Sequence, residues 1–453
     1  MEFDRTARRI TLEAGCGTLE GLETERCRVF LGIPYARARR FAYAEPVDRW
    51  DGVLDATHSG PACPQNRAIH EHLENPTRRF YKKEFREGFD TRCDEDCLNL
   101  NIFTPREASA CPVVVFIHGG GFDSGSNSES PFDGSALARR GIVTVFINYR
   151  VGVLGWLTHR EIEETYGRDG NFGLDDMLTA IRWVRSHIAA FGGDADNLTL
   201  LGQSAGAISI QYLCLQRENA GLFRRVAMMS GAGLFPKFSL PRRAADTRDY
   251  WLQFMENAGC TSLDELRALP VEKLFDTVET MRALRNDAIY HTMPVVDGVL
   301  LRAPVDELIR APLPVDCMLG FTSNDMYAPL LALIGSRYGK RCGAYIYFFD
   351  LAAPGDKNGA FHSSDLRYMF ETLDGSWRPY GARDREAAAQ LADYFANFAR
   401  TGDPNGHGLP VWKKARPSLR ADVLRISARG TAMGHASYAK LTYNALTKGE
   451  PKA

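Results

Sequence analysis

Long apolar runs are absent from this 453-residue chain. Its most apolar stretches, such as Val113-Val114-Val115-Phe116-Ile117, are far too short to cross a bilayer as a helix. An excess of charge is missing too, since 55 basic residues face 56 acidic ones. The resulting net charge of −1 gives no broad basic field, so neither nucleic acid nor a membrane is an expected partner. Cysteine is spread thinly: ten residues scattered over a long chain exclude a disulfide-stapled miniprotein. Cys93 and Cys97 have no second Cys or His pair at ligand spacing nearby, so no metal site is expected, and no cofactor is implied. The opening Met1-Glu2-Phe3-Asp4-Arg5 is charged and is not followed by an apolar stretch. That argues against a secretory signal and for a cytoplasmic protein. Without a signal, the sequon Asn197-Leu198-Thr199, within an expected strand, reads as chance. Internal repeats, low-complexity tracts and Gly/Ser linkers are also lacking. The economical reading is one domain over residues 1–453, long enough to bury a core without crosslinks.

What is present is organised by alternation. Apolar, β-branched runs recur at Val29–Leu31, Leu98–Phe103, Val113–Ile117, Ile142–Ile147, Leu198–Leu201, Val226–Met229 and Cys317–Phe321. Helical periodicity falls between several of them. Over Gly173–Phe191, Leu174, Met177, Leu178, Ile181, Val184 and Ile188 repeat at three- and four-residue steps. Strands alternating with helices predict an α/β fold, a mainly parallel sheet with helices on both faces. Asp246 to about Arg282 reads as consecutive helices, an insertion or cap. Tyr81, Phe85 and Phe89 recur at four-residue steps and would share one helix face. Such a stripe is either the buried side of a surface helix or a flap lining a pocket mouth.

Gly202-Gln203-Ser204-Ala205-Gly206 follows one apolar run and opens another. The G-x-S-x-G pattern alone is weak, but between a strand and a helix it describes a nucleophile elbow. A serine on so tight a turn needs neighbours without bulk two residues away, and Gly202 and Gly206 meet that need. Without the chemistry, Ser204 would be an ordinary helix-capping residue. A serine alcohol also needs a base, and the base needs an orienting acid; in this fold they follow the serine as acid, then histidine. Four histidines follow Ser204. His407 lies in a turn-rich stretch, His435 in a weakly patterned tail, and His291 leaves no room for an earlier acid strand. His362 sits in a loop after the strand-like Tyr345–Phe349, at the strand end where such folds gather their site. Asp325 follows the strand-like Val315–Phe321 directly, whereas Asp316 sits at its other end and Asp297 suits a turn. Helix capping is the plain alternative for Asp325. Finally, His118-Gly119-Gly120-Gly121-Phe122 follows the Val113–Ile117 run. Successive glycines let backbone N–H groups converge on a small anion, and with the N–H of Ala205 they would form an oxyanion hole.

These residues resemble the type B carboxylesterase family, which includes cholinesterases and bacterial p-nitrobenzyl-type esterases. Phe30-Leu31-Gly32-Ile33-Pro34-Tyr35-Ala36 is similar to the family's opening motif, and Glu95-Asp96-Cys97-Leu98-Asn99-Leu100-Asn101 to its second signature. Asn148-Tyr149-Arg150, Ala189-Ala190-Phe191-Gly192-Gly193-Asp194 and Gly402 to Trp412 match later blocks in order. The resemblance implies an α/β-hydrolase fold and a serine esterase working through an acyl-enzyme. It implies Ser204 as nucleophile, His362 as base, and Gly120, Gly121 and Ala205 as oxyanion donors. Three departures stand out. Gln203 occupies the place of the family's usual Glu, and Asp325 that of its usual acidic Glu. The stretch from Asp325 to His362 is also shorter than usual. Cys63 and Cys97 match a pair that is disulfide-linked in secreted members, and in a reducing cytoplasm thiols are expected. No tryptophan lies between Trp50 and Trp156, so the aromatic choline site of cholinesterases is not evident. Uncharged carboxylic esters are therefore the expected substrates. Amides, thioesters or acyl transfer through the same triad are the alternative, and a non-catalytic binding homologue a more distant one.

Overall fold

The computed structural model describes residues 7–65, 76–86, 92–232, 241–285, 291–308, 315–325, 343–415 and 420–437. Its strands are β1 (Arg8–Ala14), β2 (Gly17–Glu23), β3 (Arg28–Pro34), β4 (Ala36–Arg37), β5 (Glu45–Pro46), β6 (Val53–Asp55), β7 (Asn99–Thr104) and β8 (Cys111–Ile117). They continue as β9 (Val143–Ile147), β10 (Gly193–Gln203), β11 (Arg225–Met229), β12 (Asp316–Thr322), β13 (Tyr345–Asp350), β14 (Arg420–Ser427) and β15 (Gly430–Ser437). One sheet runs in the order β1-β2-β3-β7-β9-β8-β10-β11-β12-β13-β14-β15, with β6 beside β2 and β4–β5 as a separate pair. Pairing is parallel from β9 through β14 and antiparallel at both ends of the sheet. Every apolar run named from the sequence overlaps one of these strands, with Leu98 and Ile142 falling just before their strands begin.

Among the described residues six helices reach ten residues: α1 (Pro76–Phe85), α2 (Phe172–His187), α3 (Ala205–Leu215), α4 (Arg248–Ala258), α5 (Val271–Arg285) and α6 (Ala382–Thr401). Successive strand side chains point to opposite faces. In β8 this sends Val113, Val115 and Ile117 into one buried cluster and Val114 and Phe116 into another. Met177 and Ile181 of α2 and Ile208 of α3 pack in the first cluster, and Leu391 and Phe395 of α6 in the second. Helices therefore cover both faces, as the continuous apolar runs of a parallel sheet require. The expected cap is helical throughout: α4, the short helix Leu263–Ala268 and α5 follow one another. No helix among the described residues is long and apolar enough to cross a membrane.

The chain leaves β8 for β9 on one side and returns to β10 on the other. The loops after β8 and β10 consequently part at their carboxyl ends, which is where open α/β sheets hold ligands. Behind this point Arg150 and Asp176 form a fully buried, bidentate pair, with Nη2–Oδ1 at 2.7 Å and Nε–Oδ2 at 2.8 Å. Arg150 also donates to the Ala42 carbonyl at 2.7 Å, so one guanidinium ties α2 to the amino-terminal segment.

Candidate active site

Ser204 stands between β10 and α3 with φ 55° and ψ −121°, outside the regions an L-residue ordinarily adopts. Two hydrogen bonds hold it there. Its N–H donates to the Met229 carbonyl at 2.8 Å, and its own carbonyl accepts from the Ile208 N–H at 3.0 Å. The elbow leaves no space for side chains beside it. A Cβ on Gly206 would overlap the Ile117 carbonyl oxygen, and one on Gly202 would lie 2.8 Å from the Gly206 carbonyl carbon. Gly231 does the same from the next loop, where a Cβ would fall on the Ser204 carbonyl oxygen. Sequence reasoning passed over Gly231; its only signal is its place just past a strand end.

Register brings the glycine loop to this serine, because Ile117 at the end of β8 pairs with Gly202. Gly119 approaches so closely that a Cβ would sit 3.0 Å from the Ser204 Cβ. The Gly120 carbonyl accepts from the N–H groups of Asp123 at 3.2 Å and Ser124 at 3.1 Å. In a trans peptide the next N–H points the opposite way, so that of Gly121 faces away from this turn. Among the described residues, the N–H groups of Gly120, Gly121 and Ala205 have no backbone acceptor. His118 anchors the loop from below, stacked on Tyr149 with ring centroids 4.3 Å apart. Burial lowers its pKa to about 4, so it is neutral, and its Nδ1–H donates to the Gly119 carbonyl at 2.8 Å.

Asp325 and His362 come together because the loops after β12 and β13 are laced to each other. Ser323 N–H donates to Phe349 O at 2.9 Å, Asn324 N–H to Ala360 O at 2.8 Å, and Ala360 N–H to the Ser323 hydroxyl at 2.9 Å. Asp325 Oδ1 then lies 3.3 Å from His362 Nδ1. The carboxylate side chain is fully buried, whereas the imidazole keeps 22% of its surface exposed. The other edge of the ring meets Gln203, the residue directly before Ser204: Gln203 Nε2 is 3.2 Å from His362 Nε2. The same amide nitrogen donates to the Ser363 hydroxyl at 2.6 Å. All six residues expected from the sequence therefore gather at the carboxyl edge of β8, β10, β12 and β13.

The rejected candidates lie elsewhere. Asp316 begins β12 at the opposite edge, beside Gly402. Asp297 caps a turn, accepting from the N–H groups of Val299 at 3.2 Å and Leu301 at 2.8 Å. His291 stacks on Tyr250, His407 lines a surface hollow, and His435 pairs with Asp422 across the β14–β15 hairpin. The sequon lies in β10, with the Asn197 side chain held by Arg225 and Leu198 buried. Tyr81 and Phe85 do share a face of α1, and both pack near Phe361; Phe89 lies outside the described residues. The Tyr81 hydroxyl donates to the His362 carbonyl at 3.4 Å. Thus the aromatic stripe braces the histidine loop, a partnership that four-residue spacing could not reveal. Asp365, also unforeseen, is fully buried one turn beyond His362 and accepts from the Tyr347 hydroxyl at 2.6 Å.

Comparison with known proteins agrees with this architecture. The family model described as the carboxylesterase family matches residues 8–336 and 326–443. The chain is 30% identical to the para-nitrobenzyl esterase of Bacillus subtilis (strain 168), covering 86% of this chain and 89% of that protein. A solved para-nitrobenzyl esterase structure superposes with a TM-score of 0.82 at 24% identity, over 96% of this chain and 99% of that one. A Geobacillus stearothermophilus carboxylesterase superposes with a TM-score of 0.77 at 29% identity, over the same 96% and 99%. The chain belongs to the carboxylesterase family, has the α/β-hydrolase fold and is a carboxylic ester hydrolase.

Proposed function

We propose that this hydrolase cleaves uncharged carboxylic esters through an acyl-enzyme on Ser204, with His362 as general base and acid and Asp325 as the orienting carboxylate. The observation that carries the reading is the ring of His362. It has Asp325 3.3 Å from Nδ1, while Nε2 faces the residue adjoining Ser204. With its proton on Nδ1 toward Asp325, the imidazole offers an Nε2 lone pair to the Ser204 hydroxyl. The serine oxygen attacks the ester carbonyl as that proton moves to His362. The oxyanion is met by the N–H groups of Gly120, Gly121 and Ala205, which have no backbone acceptor of their own among the described residues. His362 then gives its proton to the leaving alcohol and takes one from the water that releases the acid. Gln203 adds no negative charge beside the serine, which favours neutral over cationic substrates.

A reducing, cytoplasmic setting completes the reading, with Cys63 and Cys97 as free thiols. The adjacent Cys63 sulfur and then burial push the Cys97 thiol well above its ordinary range, which leaves little reactive thiolate. Kinetics of single variants test the assignment. Ser204→Ala and His362→Ala should each lower kcat by about 10⁴-fold or more, with little further loss when combined. Asp325→Asn should lose about 10³-fold or more with the fold intact. A folded Ser204→Ala or His362→Ala retaining more than about a tenth of kcat would overturn the triad.

A further inference from the structure

Gln203 has a position that the hydrolytic reading does not use. It is the last residue of β10 and is buried, so its carboxamide must find partners within the protein. One end of it lies against the glycine loop, where a Cβ on Gly119 would sit 2.6 Å from Oε1. The other end reaches the histidine loop, at 3.2 Å from His362 Nε2 and 2.6 Å from the Ser363 hydroxyl. Ser363 itself has φ 77°, the left-handed region that a non-glycine residue enters only when held. One side chain thus touches the glycine loop, the residue after the base, and the base.

We propose that Gln203 is a positioning residue that holds His362 in its proton-accepting tautomer and, being uncharged, extends esterase activity to lower pH than a carboxylate there would permit. The inference rests on His362 being the general base. An amide NH₂ has two hydrogens, and here one is directed to Ser363 Oγ and one, at the longer 3.2 Å, to His362 Nε2, whose lone pair it yields to the Ser204 hydroxyl during attack. A donor at Nε2 is compatible with the neutral ring only when that nitrogen carries a lone pair, which puts the ring proton on Nδ1, toward Asp325. Once Nε2 is protonated, the N–H of Gln203 opposes it, whereas a carboxylate would attract it.

The other groups around the ring sharpen the point. Asp325 faces Nδ1 from the loop after β12, and Asp365, with Tyr347 of β13 donating to it, lies one turn farther along. Tyr81 of α1 meets the His362 carbonyl, and the buried Glu84–Arg378 pair lies behind Phe361. Asp325 already favours the imidazolium, as Asp365 does wherever it is ionised. A carboxylate at position 203 would raise the proton affinity of His362 further, and the amide avoids this.

The test is the pH dependence of kcat/KM for a neutral ester, measured on the full chain with Gln203→Glu and Gln203→Met. Gln203→Glu should keep its plateau rate within about tenfold and move the acid limb upward by about one pH unit or more. Gln203→Met, of similar length but without hydrogen bonds, should lower kcat by about tenfold with KM changed less than about twofold. An acid limb of Gln203→Glu that overlays that of the unmodified enzyme, or full activity in Gln203→Met, would overturn the inference. Should either variant fail to fold, nitrogen NMR of the unmodified protein decides: neutral His362 is expected with its proton on Nδ1, and a proton on Nε2 would refute the proposal. His362→Ala separates the two readings. If it is inactive and the acid limb of Gln203→Glu stays put, only the role of Gln203 falls; if it is active, the triad falls with it.

Discussion

At Ser204 the backbone sits in a conformation that costs about 1–3 kcal/mol, held by bonds to Met229 and Ile208 and by glycines that keep clear of it. The serine, its flanking glycines and the histidine were legible because each is a residue type that the chemistry demands in a fixed order. Gly231 and Asp365 were not, since their partners are distant in sequence and nothing in their own neighbourhood marks them; Gln203 stood out by its place before Ser204, but its contacts with His362 and Ser363 did not. Asp365 carries a prediction. Burial, helped by the charge of Asp325 and opposed by the Tyr347 hydroxyl, raises its pKa from 3.8 to about 6. Between those values the folded state binds the proton more tightly than the unfolded chain, so this group's contribution improves as pH falls through 6. At pH 7 it is ionised in both states, and the folded state bears a penalty of about 3 kcal/mol. Asp365→Asn keeps an acceptor for Tyr347 and removes that penalty. Urea unfolding should show the variant more stable by up to about 3 kcal/mol at pH 7, with the gain gone near pH 4. A loss of stability at pH 7 would contradict this account.

Elements differ in how plainly they are written in the chain. The central strands are buried on both faces, so they appear as continuous apolar runs that no other element explains as well. The β1–β2 and β14–β15 hairpins escaped notice because they lie at the sheet's ends, half-exposed, with charged residues such as Arg8, Arg9, Glu13 and Arg425 on the strands themselves. Helix α1 shows the opposite limit: its aromatic face was visible, its target was not. Phe80 meets Phe361 edge-on at 4.9 Å, one residue before His362. Glu84 of the same helix holds Arg378 at 2.7 Å in a pair almost wholly buried. Removing the Glu84 charge leaves the buried Arg378 with Asp356 as its remaining carboxylate, at 3.2 Å. Glu84→Gln should therefore lose about 3 kcal/mol of stability by urea unfolding, with kcat falling more than KM rises as the His362 loop loosens. Unchanged stability and kcat would show that α1 is not a brace.

Across the whole molecule the sheet order determines where the candidate site lies. The reversal at β8 and β10 opens the carboxyl edge, and the glycine loop, the elbow and the two laced loops after β12 and β13 converge there. The alternation of apolar runs and helical periods announced this architecture, while the order of strands across the sheet depends on contacts that no local pattern encodes. The proposed reducing setting leads to an expectation about Cys63 and Cys97. Dithiothreitol should change neither activity nor melting temperature, and a mapped Cys63–Cys97 bridge whose reduction destabilises the protein would overturn the reducing setting. The central claim is a covalent one, that Ser204 is the atom acylated and His362 the base that activates it. A fluorophosphonate probe tests it most directly, because the serine oxygen bonds phosphorus as fluoride leaves and His362 takes the proton. Mass spectrometry of the labelled protein should find one adduct, on Ser204, forming far more slowly in His362→Ala and not at all in Ser204→Ala. An adduct on another residue that abolishes hydrolysis, or full esterase activity with Ser204 modified, would contradict it.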